Sequence, residues 1–89
     1  MFDKFFKAAA RLIVAKNSSQ PSIIQLHFMI GYNRAQRIIE QLEDAEIIGK
    51  SRGYKPREIL IKDIPTLEKR LNELQFGEQI ENEPYWPNN

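Results

Sequence analysis

The chain has 89 residues, enough for one domain and too few for two, and its 42% apolar and 28% charged residues are ordinary for a soluble globular protein. It has no cysteine, which excludes a disulfide framework and a thiolate metal site and fits a reducing compartment. The net charge of +1 is segregated: residues 1–62 hold eleven Lys or Arg against six Asp or Glu, and residues 63–89 hold two against six.

A basic body followed by an acidic tail points to a polyanion-binding face, although a chance split on a solvated surface explains the charge alone equally well. The longest apolar runs, such as Leu12 to Ala15, hold four residues, against about 20 for a membrane-spanning helix. Met1-Phe2-Asp3-Lys4 lacks the apolar middle of a signal peptide. A cytoplasmic protein without membrane contact is the expectation.

From Phe2 to Lys16 the apolar residues Phe2, Phe5, Phe6, Ala9, Leu12 and Ile13 recur every three or four positions, which predicts an amphipathic helix. Asn17-Ser18-Ser19 breaks it, and Ser19 or Gln20 begins a short second helix with Pro21 in its first turn. This helix carries Ile23, Ile24, Leu26 and Phe28, and Met29 to Tyr32 supplies a turn with a permissive glycine at Gly31. The third helix runs from about Tyr32 to Ala45. Its wheel puts Ala35, Ile38, Ile39 and Leu42 on one face, with Asn33, Arg37, Glu40 and Asp44 opposite and Arg34 and Gln41 on a flank.

Ile47-Ile48 and Glu58 to Ile61 read as two short strands, and the intervening Gly49 to Arg57 as a hairpin with a basic tip. A fourth helix is expected from Pro65 to Phe76, with Leu67, Leu71 and Leu74 on one face and a stop at Gly77. The remainder, Glu78 to Asn89, is acidic and rich in Pro and Asn, and is read as mobile. The order of elements predicts a mainly α fold with a small β-hairpin: a winged helix-turn-helix domain over 1–62, an additional C-terminal helix packed on it over 63–77, and a tail over 78–89.

In such a fold the third helix enters the major groove and the wing lies along the phosphates. Asn33, Arg34 and Arg37 occupy the first turns of the third helix, where the dipole is positive; Asn can pair with adenine N6/N7 and Arg with guanine O6/N7. Glu43, Asp44 and Glu46 at the other end repel phosphate. Polar helix faces are common, so these residues alone would mark only a wet surface. Lys50, Arg52, Lys55 and Arg57 shift the balance, because four like charges on one hairpin repel one another unless phosphates neutralise them.

The run Phe28-Met29-Ile30-Gly31-Tyr32-Asn33-Arg34-Ala35-Gln36-Arg37-Ile38-Ile39-Glu40-Gln41-Leu42-Glu43, followed by Lys55-Pro56-Arg57-Glu58-Ile59-Leu60, closely resembles the C-terminal gamma domain of FtsK-type DNA translocases over about residues 2 to 61. The resemblance implies a winged helix that recognises short polar DNA sequences, orients a hexameric motor and touches a tyrosine recombinase. It makes Asn33, Arg34 and Arg37 candidate base readers, and Lys55 and Arg57 candidate wing contacts. The chain lacks the Gly-x-x-x-x-Gly-Lys-Ser/Thr phosphate loop of a motor, so a free-standing relative, such as one on a mobile element, is expected. Where the family is usually basic, in the second helix and its turn, this chain has Leu26, His27 and Met29. Where the family has glycine after the third helix, it has Glu46, which costs of order 1 kcal/mol if that backbone is left-handed.

An enzyme is not expected. The single His27 has no second histidine for a metal site, and Ser18, Ser19 and Ser22 suit capping better than catalysis. No cofactor is implied. Two other functions remain open: a transcriptional regulator on an operator, with Leu67, Leu71 and Leu74 as a dimer stripe unless they pack on their own core, and a protein-interaction module toward a recombinase or motor, with Leu26 and Met29 where the family is basic and with Tyr85-Trp86 as an anchor unless these aromatics fold back onto the fourth helix.

Overall fold

A computed structural model describes the backbone of residues 1–82 and the side chains of residues 1–74. It is mainly helical: α1 (Phe6–Lys16), α2 (Pro21–Phe28), α3 (Tyr32–Asp44) and α4 (Ile64–Asn82). The first three helices pack on one another and α4 lies on α1. A single aliphatic cluster joins Phe6, Ala9, Ile13, Ile24, Ala35, Ile38, Ile39, Leu42, Ile47, Ile48, Ile59, Ile61, Leu67 and Leu71.

The first helix begins four residues later than its apolar spacing predicts. The Asp3 carboxylate accepts the Phe5 N–H at 2.9 Å, and the Asp3 carbonyl accepts the Phe6 N–H at 2.8 Å. This local turn uses the backbone groups that another helical turn would need. The phenyl rings still serve the core, since Phe2 stacks on Phe6 at 4.1 Å and Phe5 on Phe28 at 4.6 Å. Apolar periodicity thus persists through a segment that is not helical.

Each of the first three helices ends on or just before a left-handed residue: Asn17 (φ 53°), Met29 (φ 56°) and Glu46 (φ 62°). The Met29 N–H and Ile30 N–H both reach the Gln25 carbonyl, and the Ile47 N–H reaches the Leu42 carbonyl at 3.0 Å, satisfying acceptors that helix ends leave open. In the α2–α3 turn the permissive conformation therefore falls on Met29, while Gly31 has an ordinary φ of −76°. Glu46, where the resemblance implies glycine, has the left-handed backbone.

The predicted hairpin doubles back as expected but forms no regular strand pair among the described residues. It contains two isolated antiparallel bridges, Ile48 with Ile59 and Arg52 with Lys55, around a turn with Gly53 at φ 71°. Pro56 has no N–H to give a ladder. The Gly49 N–H donates to the Glu58 carbonyl at 2.7 Å and the Leu60 N–H to the Ile47 carbonyl at 2.9 Å, and guanidinium groups add to these bonds: Arg57 donates to the Gly49 carbonyl at 3.1 Å, and Arg52 to the Pro56 carbonyl at 3.0 Å.

Asp63 caps α4 by accepting the Thr66 N–H and hydroxyl, each at 2.9 Å. Leu67 and Leu71 are buried in the domain's own core, with half-buried Leu74 beside them. Arg11 and Glu68 form a two-bond fork at 2.6 and 3.0 Å between α1 and α4. The helix runs through Gly77 to Asn82, because glycine lowers helix propensity by about 1 kcal/mol without removing a donor or clashing as proline does. The tail residues 83–89, including Tyr85 and Trp86, lie outside the described residues.

Replacing Glu46 by glycine relieves the left-handed backbone, partly offset by greater freedom in the unfolded chain. Glu46→Gly should raise stability by about 0.5–1 kcal/mol and Tm by about 2–8 °C. A lower Tm in a thermal melt would show that the 4.0 Å approach of Glu46 to Arg70 outweighs the strain.

Candidate nucleic-acid interface

Burial of Ala35, Ile38, Ile39 and Leu42, each at most 1% exposed, fixes the rotation of α3. Asn33, Arg37, Glu40 and Asp44 consequently face solvent, and Arg34 and Gln41 sit half-buried on one flank. The N-cap Gly31 offers no side-chain cap, so the first-turn N–H groups and the positive end of the dipole lie beside Asn33.

The flank holds the N-terminal segment. Arg34 grips the Asp3 carboxylate with two hydrogen bonds, Nε to Oδ2 at 2.9 Å and Nη2 to Oδ1 at 3.1 Å, while its guanidinium lies 4.8 Å from the Phe5 ring centre. The Asp3 N–H donates to Gln41 Oε1, two turns further along α3. The Arg34 hydrogen bond, reinforced by the Phe5 N–H, holds the Asp3 carboxyl below the usual carboxylate range. Sequence spacing alone paired none of these groups.

The four cations of the loop after α3 divide in the same way. Lys50, Arg52 and Lys55 are exposed and form no ion pair among the described residues. Arg57 is 13% exposed and bonded to Glu43 of α3 at 2.6 Å, and its carbonyl accepts the hydroxyl of buried Ser19 at 2.9 Å. It ties the loop to α3 and to the α1–α2 connection. The Arg57 guanidinium offsets the negative charge of Glu43, so the C-terminal end of α3 repels anions less than its sequence implies.

The loop tip lies beside the start of α3. Tyr32 and Gln36 of α3, Gln20 ahead of α2, and Tyr54 and Lys55 of the loop line one cleft. Tyr32 and Tyr54 are exposed at this cleft, and Leu26 and Met29 are exposed at the end of α2. Tyr54 is signalled only by its place next to Gly53.

Among the described residues no cluster of His, Asp or Glu is arranged to hold a metal ion, and no helix is long and apolar enough to cross a membrane. Fold and surface together define a small helical domain with a cationic loop set against the exposed face of one helix. Residues 1–62 match the FtsK gamma domain, and the chain belongs to that family.

It is 39% identical over 72 residues to the DNA translocase FtsK of Chlorobaculum tepidum, covering 81% of this chain and 9% of that protein. It is 44% identical over 59 residues to the DNA translocase SftA of Bacillus subtilis, covering 66% and 6%. With the DNA translocase FtsK of Halalkalibacterium halodurans it shares 40% identity over 60 residues, covering 67% and 8%. The chain thus spans less than a tenth of the length of these relatives.

Two measurements test the division of charges. Arg57→Ala removes a largely buried, charge-assisted hydrogen bond and should cost about 1–3 kcal/mol in urea unfolding, whereas Lys55→Ala should stay within about 0.5 kcal/mol of the native chain. Equal stability of the two variants would show that the Arg57 contacts contribute nothing to the fold.

The lowered folded-state pKa of Asp3 stabilises the protein at pH values above the unfolded-state pKa near 4, and that contribution is lost as pH falls through the folded value. Asp63 and Glu68 are shifted the same way by their bonds to Thr66 and Arg11. Stability should therefore decline below about pH 4, and less steeply in Asp3→Asn, as followed by circular dichroism. An unchanged acid profile in that variant would count against the Arg34–Asp3 pair.

Proposed function

We propose that this chain is a winged helix-turn-helix domain that binds double-stranded DNA, with the N-terminal end of α3 in the major groove and the loop between Ile48 and Ile59 as the wing on the backbone. The observation that carries this reading is the shared cleft of Tyr32, Gln36, Tyr54 and Lys55, which sets the cationic loop tip beside the first turns of α3. Family membership supports it, since the relatives are named as DNA translocases.

Asn33 and Arg37 project freely toward base edges. Arg34 joins them as a base reader by exchanging Asp3 for DNA, and Lys50, Arg52 and Lys55 meet phosphates. Arg57 serves the wing from within, holding it at a fixed distance from α3. An operator-binding regulator would use the same surface. A protein-interaction module, toward a recombinase or a translocase motor, draws support from exposed Leu26 and Met29. Absence of DNA binding at low salt would favour that second reading.

With Lys50, Arg52 and Lys55 on phosphates, log affinity should fall with log salt at a slope of about −3. Lys55→Ala should weaken all duplexes alike and make the slope shallower by about one unit. Arg37→Ala should cost about 1–3 kcal/mol on the preferred duplex and relax discrimination at one base pair. Titrations on matched and singly altered duplexes at several salt concentrations measure all three. A slope near zero would remove the polyanion reading.

A further inference from the structure

Leu26 and Met29 have no part in the core. They are 76% and 87% exposed, one helical turn apart at the end of α2, and Met29 leads through the three-residue turn into Tyr32, itself 57% exposed at the start of α3. Met29 is also a poor choice for the backbone it occupies. Its φ of 56° is left-handed, a conformation that glycine or asparagine adopts more readily. The left-handed backbone caps α2 through the Met29 and Ile30 N–H groups, but neither burial nor capping calls for an exposed apolar side chain there, which points to a surface role for the side chain.

The position of the patch limits what that role is. Met29 lies two residues ahead of Gly31, the N-cap of α3, at the end that enters the groove if the DNA-binding reading is right, and the inference rests on that reading. Leucine and methionine offer phosphates nothing. On the major-groove edge of DNA the one apolar group is the thymine 5-methyl. Met29, unbranched and adaptable, suits contact with a small methyl group at variable depth. We propose that Leu26 and Met29 read thymine methyl groups flanking the bases read by Asn33 and Arg37, so that the preferred site contains thymine at one or two fixed positions.

The test begins with duplexes enriched by the native chain from a random pool, remade with deoxyuridine at each thymine in turn. That change removes only the methyl and keeps the pairing edge. At one or two positions it should weaken binding about fourfold, the change that corresponds to one buried methyl group. Met29→Gly or Leu26→Ala should be indifferent to the same replacement. Met29→Gly also relieves the left-handed backbone, so its melting temperature should equal or exceed that of the native chain, separating lost reading from lost folding. If a preferred duplex is enriched but every uracil replacement is silent, methyl reading is wrong while DNA reading stands, and the patch belongs to a protein contact. Methyl sensitivity that survives in both variants would assign it to other residues and overturn the proposal. If no sequence is enriched at all, the DNA-reading function fails and this inference with it.

Discussion

Ala35, Ile38, Ile39 and Leu42 leave α3 one way to sit, because α1 and α2 both pack on it and all four side chains are buried. Fully burying each larger aliphatic is worth about 1.5–3 kcal/mol. A rotation of α3 by one residue would expose several of them and drive Asn33 or Arg37 toward the core. The direction in which the helix presents its polar face is therefore a consequence of core packing. The candidate interface inherits its aim from the aliphatic cluster behind it.

Arginine does the work of joining irregular segments to this frame. Arg34 holds the N-terminal turn through Asp3, Arg57 holds the loop through Glu43 and Gly49, and Arg70 donates to the Ala45 carbonyl at 2.6 Å just past α3. Each join spans a long stretch of chain, and each uses the planar guanidinium fork to engage an acid, a carbonyl or both. The loop's exposed lysines have no comparable partner among the described residues. The cations thus separate into those paired within the domain and those exposed on its surface.

The three left-handed helix ends show one backbone device filled with unequal chemistry. Asn17 suits the conformation, since its short polar side chain tolerates a positive φ. Met29 and Glu46 do not. Glu46 reaches toward Arg70, whereas Met29 projects into solvent. Two sites of local strain on either side of α3 are sustained because the core over-determines the helix between them.

The sequence by itself determined the helices and the facing of α3, because periods of three and four residues follow from helical geometry and need no distant information. It also determined the breaks at Asn17 and Met29–Gly31, the basic loop, and a likeness to the FtsK gamma domain that the family match over residues 1–62 bears out. Only the tertiary structure decided that residues 3–6 form a turn ahead of α1, that guanidinium groups reinforce a loop with only isolated bridges, and that α4 passes Gly77. It alone drew Arg34 and Arg57 into ion pairs while leaving Arg37 and Lys55 exposed. Formal charge is the same for all four. Which of them finds an acid depends on Asp3 and Glu43, 31 and 14 residues away along the chain, and folding alone brings such groups within reach.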